Sequence, residues 1–149
     1  MQGVDASVSA KWIFVEEHSG QARALLSDTV RAGGRLVAPH LLPAETANVI
    51  RQRMRREGLR IQEASGRLDE FLVLPVTVSP ASSSARRRLN RSALVLADRF
   101  GLPAIYDAYY LALAEMLDCP IWTADARLLR LVGAEFPRLR FIGDYGGKG

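Results

Sequence analysis

Short apolar segments of strand length alternate along this chain with segments of helical period, and that alternation restricts the fold more than any other feature. Met1 to Val4 reads as a strand and Ser7 to Phe14 as a short helix. Gln21 to Ala32 is a second helix, with Ala22, Leu25, Leu26 and Val30 at helical spacing and Gly33-Gly34 as its stop. Arg35 to Pro39 is the next strand. Helices follow from Pro43 to about Glu57, where Pro43 suits the first turn and Gly58 the end, and from about Arg60 to Phe71. The β-branched run Leu72 to Val78 predicts a strand interrupted or started by Pro75. Ser79 to Ser84 then signals a loop and a helix start. Arg86 to Phe100 is helical, with Leu89, Ala93, Leu96, Ala97 and Phe100 on one side. Tyr106 to Leu117 is a helix, Pro120 to Thr123 a strand, Asp125 to Val132 a helix and Leu139 to Ile142 a last strand. Parallel neighbours require crossovers, so single or paired helices between strands predict an α/β fold: a mostly parallel sheet of about five strands with helices on both faces. No repeat or linker interrupts it. One domain is expected over residues 1–143, with 144–149 as a flexible tail.

Four acids stand where this pattern changes from strand to helix: Asp5, Glu45, Asp107 and Asp125. In open parallel sheets ligands bind beyond the carboxyl ends of the strands, where strand order reverses. Asp5 and Asp125 each follow a strand, so both can face that crevice. Singly, each acid has an ordinary use: Asp107 and Asp125 as helix N-caps, Glu45 in a first turn where the helix dipole favours a negative charge, Asp5 as a strand end. As a set they are harder to explain, because Ser, Thr and Asn cap equally well. Gathered carboxylates repel and raise one another's pKa, so a divalent cation is the expected counter-charge. Ser7, Asn48 and Thr123 lie close in sequence to Asp5, Glu45 and Asp125 and add hydroxyl and amide groups. An oxygen-only donor set points to Mg²⁺ or Mn²⁺, and nothing supplies the Cys/His ligands of a structural zinc.

Composition excludes several classes. The 149 residues, 48% of them apolar, suffice for one complete core. No apolar run reaches the ~18 residues of a membrane span, and the N-terminus lacks a signal-peptide pattern, so a cytoplasmic protein is expected. Cys119 has no partner for a disulfide and reads as a small buried residue. The formal charge of +4 comes from 20 basic and 16 acidic residues, and Lys11 and Lys148 are the only lysines. Arginine forks match phosphate oxygens. Two groups suggest a polyanion track: Arg51, Arg53, Arg55 and Arg56 near the end of the Glu45 helix, and Arg86, Arg87, Arg88 and Arg91 opening the next long one. Both also suit solvated helix faces. The second group opposes its helix dipole unless an anion binds there, which makes it the better candidate.

Val4-Asp5-Ala6-Ser7-Val8, Ala38-Pro39 through Leu42-Pro43-Ala44-Glu45 with Asn48, Tyr106-Asp107-Ala108-Tyr109-Tyr110-Leu111-Ala112-Leu113-Ala114, and Cys119-Pro120 through Thr123-Ala124-Asp125 together resemble a PIN-domain protein of the VapC toxin type. The Tyr-Asp-Ala-Tyr-Tyr run followed by Thr-Ala-Asp is the most specific part. The resemblance implies a three-layer α/β/α domain, an acidic site of Asp5, Glu45, Asp107 and Asp125 around one or two Mg²⁺ or Mn²⁺ ions, and endoribonuclease activity. In that site Asp5, Asp107 and Asp125 are expected to hold the metal and Glu45 to orient water. Two departures stand out: Gln2-Gly3 replaces apolar residues in the first strand, and His40 stands where relatives often carry an acid, in a place that suits a surface or cap residue.

The resemblance further implies a VapB-type antitoxin whose C-terminal segment lies across the toxin and can insert a basic side chain among the acids, a homodimer, and a larger toxin–antitoxin assembly. Trp12, Ile13, Phe14, Leu25, Leu26 and Val49 offer apolar material for such contacts but are first of all core candidates. Alternative readings are a PIN-like RNA-processing or structure-specific DNA nuclease, or an inactive PIN fold that only binds RNA or protein. A nucleotide-binding α/β domain is disfavoured, because Gly33-Gly34 follows a helix and no Gly-rich phosphate loop follows a strand.

Overall fold

The computed structural model describes residues 1–146, which form five strands and seven α-helices. In chain order these are β1 (Gln2–Val4), α1 (Ala6–Ile13), α2 (Ser19–Arg31), β2 (Leu36–Ala38), α3 (Leu42–Glu57), α4 (Ile61–Leu72), β3 (Val76–Val78), α5 (Ser83–Arg99), α6 (Tyr106–Met116), β4 (Ile121–Thr123), α7 (Ala126–Val132) and β5 (Leu139–Phe141). A 3₁₀ turn, Ile142–Asp144, follows β5. Every strand expected from the sequence is present. The run from Leu72 to Val78 is a strand only after Pro75, which has no amide to give a ladder: Leu72 ends α4, Val73 caps it, and the strand begins at Val76. Helix α2 begins earlier than the apolar period suggested, since Ser19 Oγ donates to Phe14 O and accepts from Glu16 N–H, closing the turn that launches it.

All strands are parallel, in the order β3-β2-β1-β4-β5. The chain leaves the central β1 toward one edge through β2 and β3, then crosses back to build β4 and β5 on the other side. Strand order therefore reverses beside β1, and the carboxyl ends of β1 and β4 flank the crevice that this leaves. Successive strand residues point to opposite faces. Leu36, Val37 and Ala38 of β2 and Ile121, Trp122 and Thr123 of β4 are nevertheless all buried, so helices cover both faces in an α/β/α sandwich. Helix α1 packs on α2, α3 and α4, while α6 packs on α5 and against β1 and β4.

The polar first strand has a structural reason. A Cβ on Gly3 would stand 2.9 Å from Ile121 Cδ1 and 3.1 Å from Pro120 O, so β1 and β4 approach too closely for a side chain there. Gln2 uses its amide oxygen to accept from Trp122 Nε1 at 2.9 Å, which satisfies a buried indole. Trp12, Ile13, Phe14 and Leu25 are core residues and Cys119 is buried, as read from the sequence. Trp12 Nε1 donates to Ala22 O at 2.8 Å and pins α1 to α2. Of the expected C-terminal tail, residues 147–149 lie outside the described residues. Tyr145 stacks edge-on against Trp122, and its hydroxyl donates to Asp28.

Candidate active site

Asp5 leaves the end of β1 and caps α1. Its Oδ1 accepts from Val8 N–H at 3.0 Å and from Ser7 Oγ at 2.6 Å, which locks the carboxylate against the first turn of the helix. Ser7 Oγ in turn accepts from Ala124 N–H at 2.7 Å and lies 3.4 Å from Thr123 Oγ1, while Thr123 Oγ1 accepts from Asp125 N–H at 2.9 Å. Ser7 and Thr123 thus stitch the turn after β1 to the turn after β4. Asp5 is only 8% exposed and pairs with no cation among the described residues. Burial pushes its pKa up to about 6 against the bonds from Ser7, Thr123 and Val8, and the charge of Asp107 pushes the same way.

Glu45 lies in the first turn of α3, where the dipole favours an anion. Its Oε2 accepts from the hydroxyl of Tyr110, a buried residue one turn after Asp107 on α6. Partial burial raises the pKa of Glu45, its bond from Tyr110 opposes this, and Asp5 and Asp107 add to the rise. Burial, with the carboxylate of Glu45 beside it, lifts the Tyr110 phenol far above its ordinary range, so it stays protonated as a donor. Asp107 thus lies within electrostatic reach of both Asp5 and Glu45, and Asp5 within reach of Glu45. Asn48 is exposed and makes no side-chain hydrogen bond among the described residues, so the amide expected beside Glu45 is not engaged with it.

Asp107 is not a helix N-cap. Helix α6 begins at Tyr106 behind Ile105, so Asp107 sits inside the first turn with its side chain free to reach outward. Asp125 is a cap: its Oδ1 accepts from Arg127 N–H at 2.8 Å and Leu128 N–H at 3.1 Å. Arg127, which sequence reasoning passed over, joins the two acids. One guanidinium nitrogen donates to Asp107 Oδ2 at 2.8 Å and to Asp125 Oδ2 at 3.3 Å. The available signal was an arginine in the first turn of a helix, where a cation opposes the dipole and so needs an anion nearby. Tyr110 was legible only as part of a motif.

His40 is exposed, with its ring edge-on to Tyr109 at 5.8 Å. Arg53 is withdrawn from its basic group: it pairs with Glu16 and with Glu57, and its guanidinium lies 4.2 Å over the Phe14 ring. Arg51, Arg55 and Arg56 remain exposed, as do Arg86, Arg87, Arg88 and Arg91.

Among the described residues no three carboxylate, imidazole or thiolate side chains close into a ready-made metal cage. The donor chemistry still suits a hard divalent cation. Mg²⁺ commonly takes one or two carboxylates and completes its shell with water, and the buried Asp5 carboxylate has no cation partner among the described residues.

An all-parallel α/β/α domain whose strands on either side of the switch point, β1 and β4, are followed by Asp5 and Asp125 defines a fold class, and comparison with known sequences places this chain in a family within it. The sequence profile of the PIN domain matches residues 4–134. The chain belongs to the PIN-domain family, among its VapC-type members. VapC ribonuclease Mb0985 of Mycobacterium bovis and ribonuclease VapC9 of Mycobacterium tuberculosis are each 34% identical to it over 138 residues, spanning 90% of this chain and 93% of theirs. The crystal structure of PAE2754 from Pyrobaculum aerophilum superposes with a TM-score of 0.63 over 95% of this chain and 90% of that one, at 23% identity, and supports the fold. No helix among the described residues is long and apolar enough to cross a membrane.

Proposed function

We propose that this protein is the toxin of a type II toxin–antitoxin pair, an endoribonuclease dependent on Mg²⁺ or Mn²⁺ and acting in the cytoplasm. The observation that carries the reading is Asp5: a buried carboxylate with no cation partner among the described residues, within electrostatic reach of Glu45 and Asp107 at the switch point of the sheet. The relatives named as ribonucleases support a nuclease reading of that pocket. Asp5, Asp107 and Asp125 would hold the ion, which when bound supplies Lewis-acid activation of the phosphate and of water. Asp5 offers Oδ2, since its Oδ1 is committed to Ser7 and Val8. Tyr110 fixes Glu45 through Oε2, which leaves Oε1 to orient a water and take its proton. Ser7 and Thr123 hold the two strand ends at constant separation. Arg86, Arg87, Arg88 and Arg91, with Arg51, Arg55 and Arg56, would draw RNA by its phosphates without reading its bases. A VapB-type antitoxin and a homodimer complete the proposed assembly.

The test is cleavage of total cellular RNA by the purified protein with Mg²⁺ or Mn²⁺, against EDTA and against Asp5→Asn and Asp107→Asn. Discrete, metal-dependent fragments lost in both variants are expected. Intact RNA in the presence of demonstrated metal binding would overturn the ribonuclease reading. Cleavage of flap DNA instead would favour a DNA nuclease.

A further inference from the structure

Arg127 has no task in the mechanism just described, yet it contacts two of its acids. It lies in the first turn of α7, where the helix dipole and the free amides disfavour a cation, and its side chain is 47% exposed. An arginine in such a place normally extends into solvent. Here one nitrogen donates to both Asp107 Oδ2 and Asp125 Oδ2, so a single positive charge bridges carboxylates from two separate helices.

The occupied oxygens matter most. Asp125 Oδ1 is taken by the amides of Arg127 and Leu128, which leaves Oδ2 as the oxygen Asp125 has for another partner, and Arg127 holds it. Asp107 presents its Oδ2 to the same guanidinium. The remaining oxygen of Asp125 and one of the two oxygens of Asp107 are thus already bonded to a cation that belongs to the chain.

We propose that Arg127 is an internal counter-cation of the acidic pocket. It offsets part of the negative charge of Asp107 and Asp125 in the metal-free protein, gives them up when a divalent ion binds, and thereby weakens metal affinity while keeping the empty pocket stable. This rests on the reading that the acids take a divalent cation. The pairs are partly exposed and therefore weak, so the competition is expected to amount to about three- to tenfold in Kd.

The experiment is calorimetric titration of the full chain with Mn²⁺, paired with thermal melts in EDTA, for the wild type, Arg127→Ala, Arg127→Gln and Arg130→Ala. Arg127→Gln keeps much of the side-chain stem and guards against a folding failure of the alanine variant. Arg130 is exposed on the same helix with no ion pair among the described residues, so its removal changes the charge without touching the acids. The expected result is Mn²⁺ binding about three- to tenfold tighter in both Arg127 variants, less than about twofold tighter in Arg130→Ala, and a lower Tm in EDTA for the Arg127 variants alone. Unchanged or weaker Mn²⁺ binding in the Arg127 variants overturns the inference while leaving the metal-dependent reading intact. Equal tightening in Arg130→Ala also overturns it, because net charge would then explain the gain. Absence of Mn²⁺ binding by every folded variant, the wild type included, removes both the inference and the reading beneath it.

Discussion

At Asp5 a carboxylate that ends a strand is buried by the helices packed around it, and this burial lifts its pKa from 3.8 to about 6. The consequence for stability has a definite sign. A raised acid favours the protonated folded state, so its contribution is fully present below the unfolded value and is lost as pH rises through about 6. Two units of pKa correspond to roughly 3 kcal/mol. In EDTA, Asp5→Asn should match the wild type near pH 4 and exceed it in stability at pH 7, since an amide oxygen can still accept from Ser7 and Val8. Paired thermal melts across that range check this, and an unchanged difference between the two proteins would contradict it. Tyr110 makes a second prediction. Tyr110→Phe removes the donor to Glu45, and a bond to a charged group is worth about 1.5–3 kcal/mol. We expect RNA cleavage to fall about ten- to hundredfold with Mn²⁺ affinity nearly unchanged, as read by turnover and titration on the same preparation.

Strand β1 shows what an element demands beyond its own propensity. It is short and half polar, yet it is the central strand, held by ladders to β2 and β4. Gly3 is needed because Ile121 and the Pro120 carbonyl occupy the space a side chain would fill. Gly3→Ala should cost about 1–3 kcal/mol through overpacking and Gly3→Val more. Denaturant midpoints measure both, and Ile121→Val should recover part of the alanine loss, because Ile121 Cδ1 is the nearest atom and is removed. A Gly3→Ala protein as stable as the wild type would show that the sheet opens freely at this point. The same dependence explains the departure from apolar residues in β1: the helices above and below supply the burial, and the strand supplies close approach and an amide for Trp122.

Across the whole molecule the arginines divide into two populations that sequence proximity conceals. Arg53 belongs to the fold: with Lys11, Glu16, Glu57 and Phe14 it ties α3 to the end of α1. Arg86, Arg87, Arg88 and Arg91 are exposed on α5. Arg53→Ala should therefore lower stability by more than 1 kcal/mol, as a partly buried paired charge does when one partner is removed. Replacing the four α5 arginines by alanine should leave stability nearly unchanged and flatten the salt dependence of RNA binding. Each lost phosphate contact to a single strand reduces the slope of log K against log salt by about 0.7. Filter binding at several salt concentrations, with an uncleavable RNA or the Asp107→Asn variant, gives that slope; an unchanged value would assign the RNA path elsewhere. Much of this architecture could be read from local pattern. Strand length, helical period, Pro43 and Gly58 at helix ends, and acids placed after strands are short-range features, and they determined the parallel α/β fold and brought Asp5, Glu45, Asp107 and Asp125 into consideration together. Tertiary structure decided who touches whom: Tyr110 with Glu45 across 65 residues, Ser7 with Thr123 across 116, Arg127 with Asp107 across 20, and Gly3 beneath Ile121. Such contacts depend on strand register and helix docking, which join segments distant in the chain, and no periodicity within one segment carries that information.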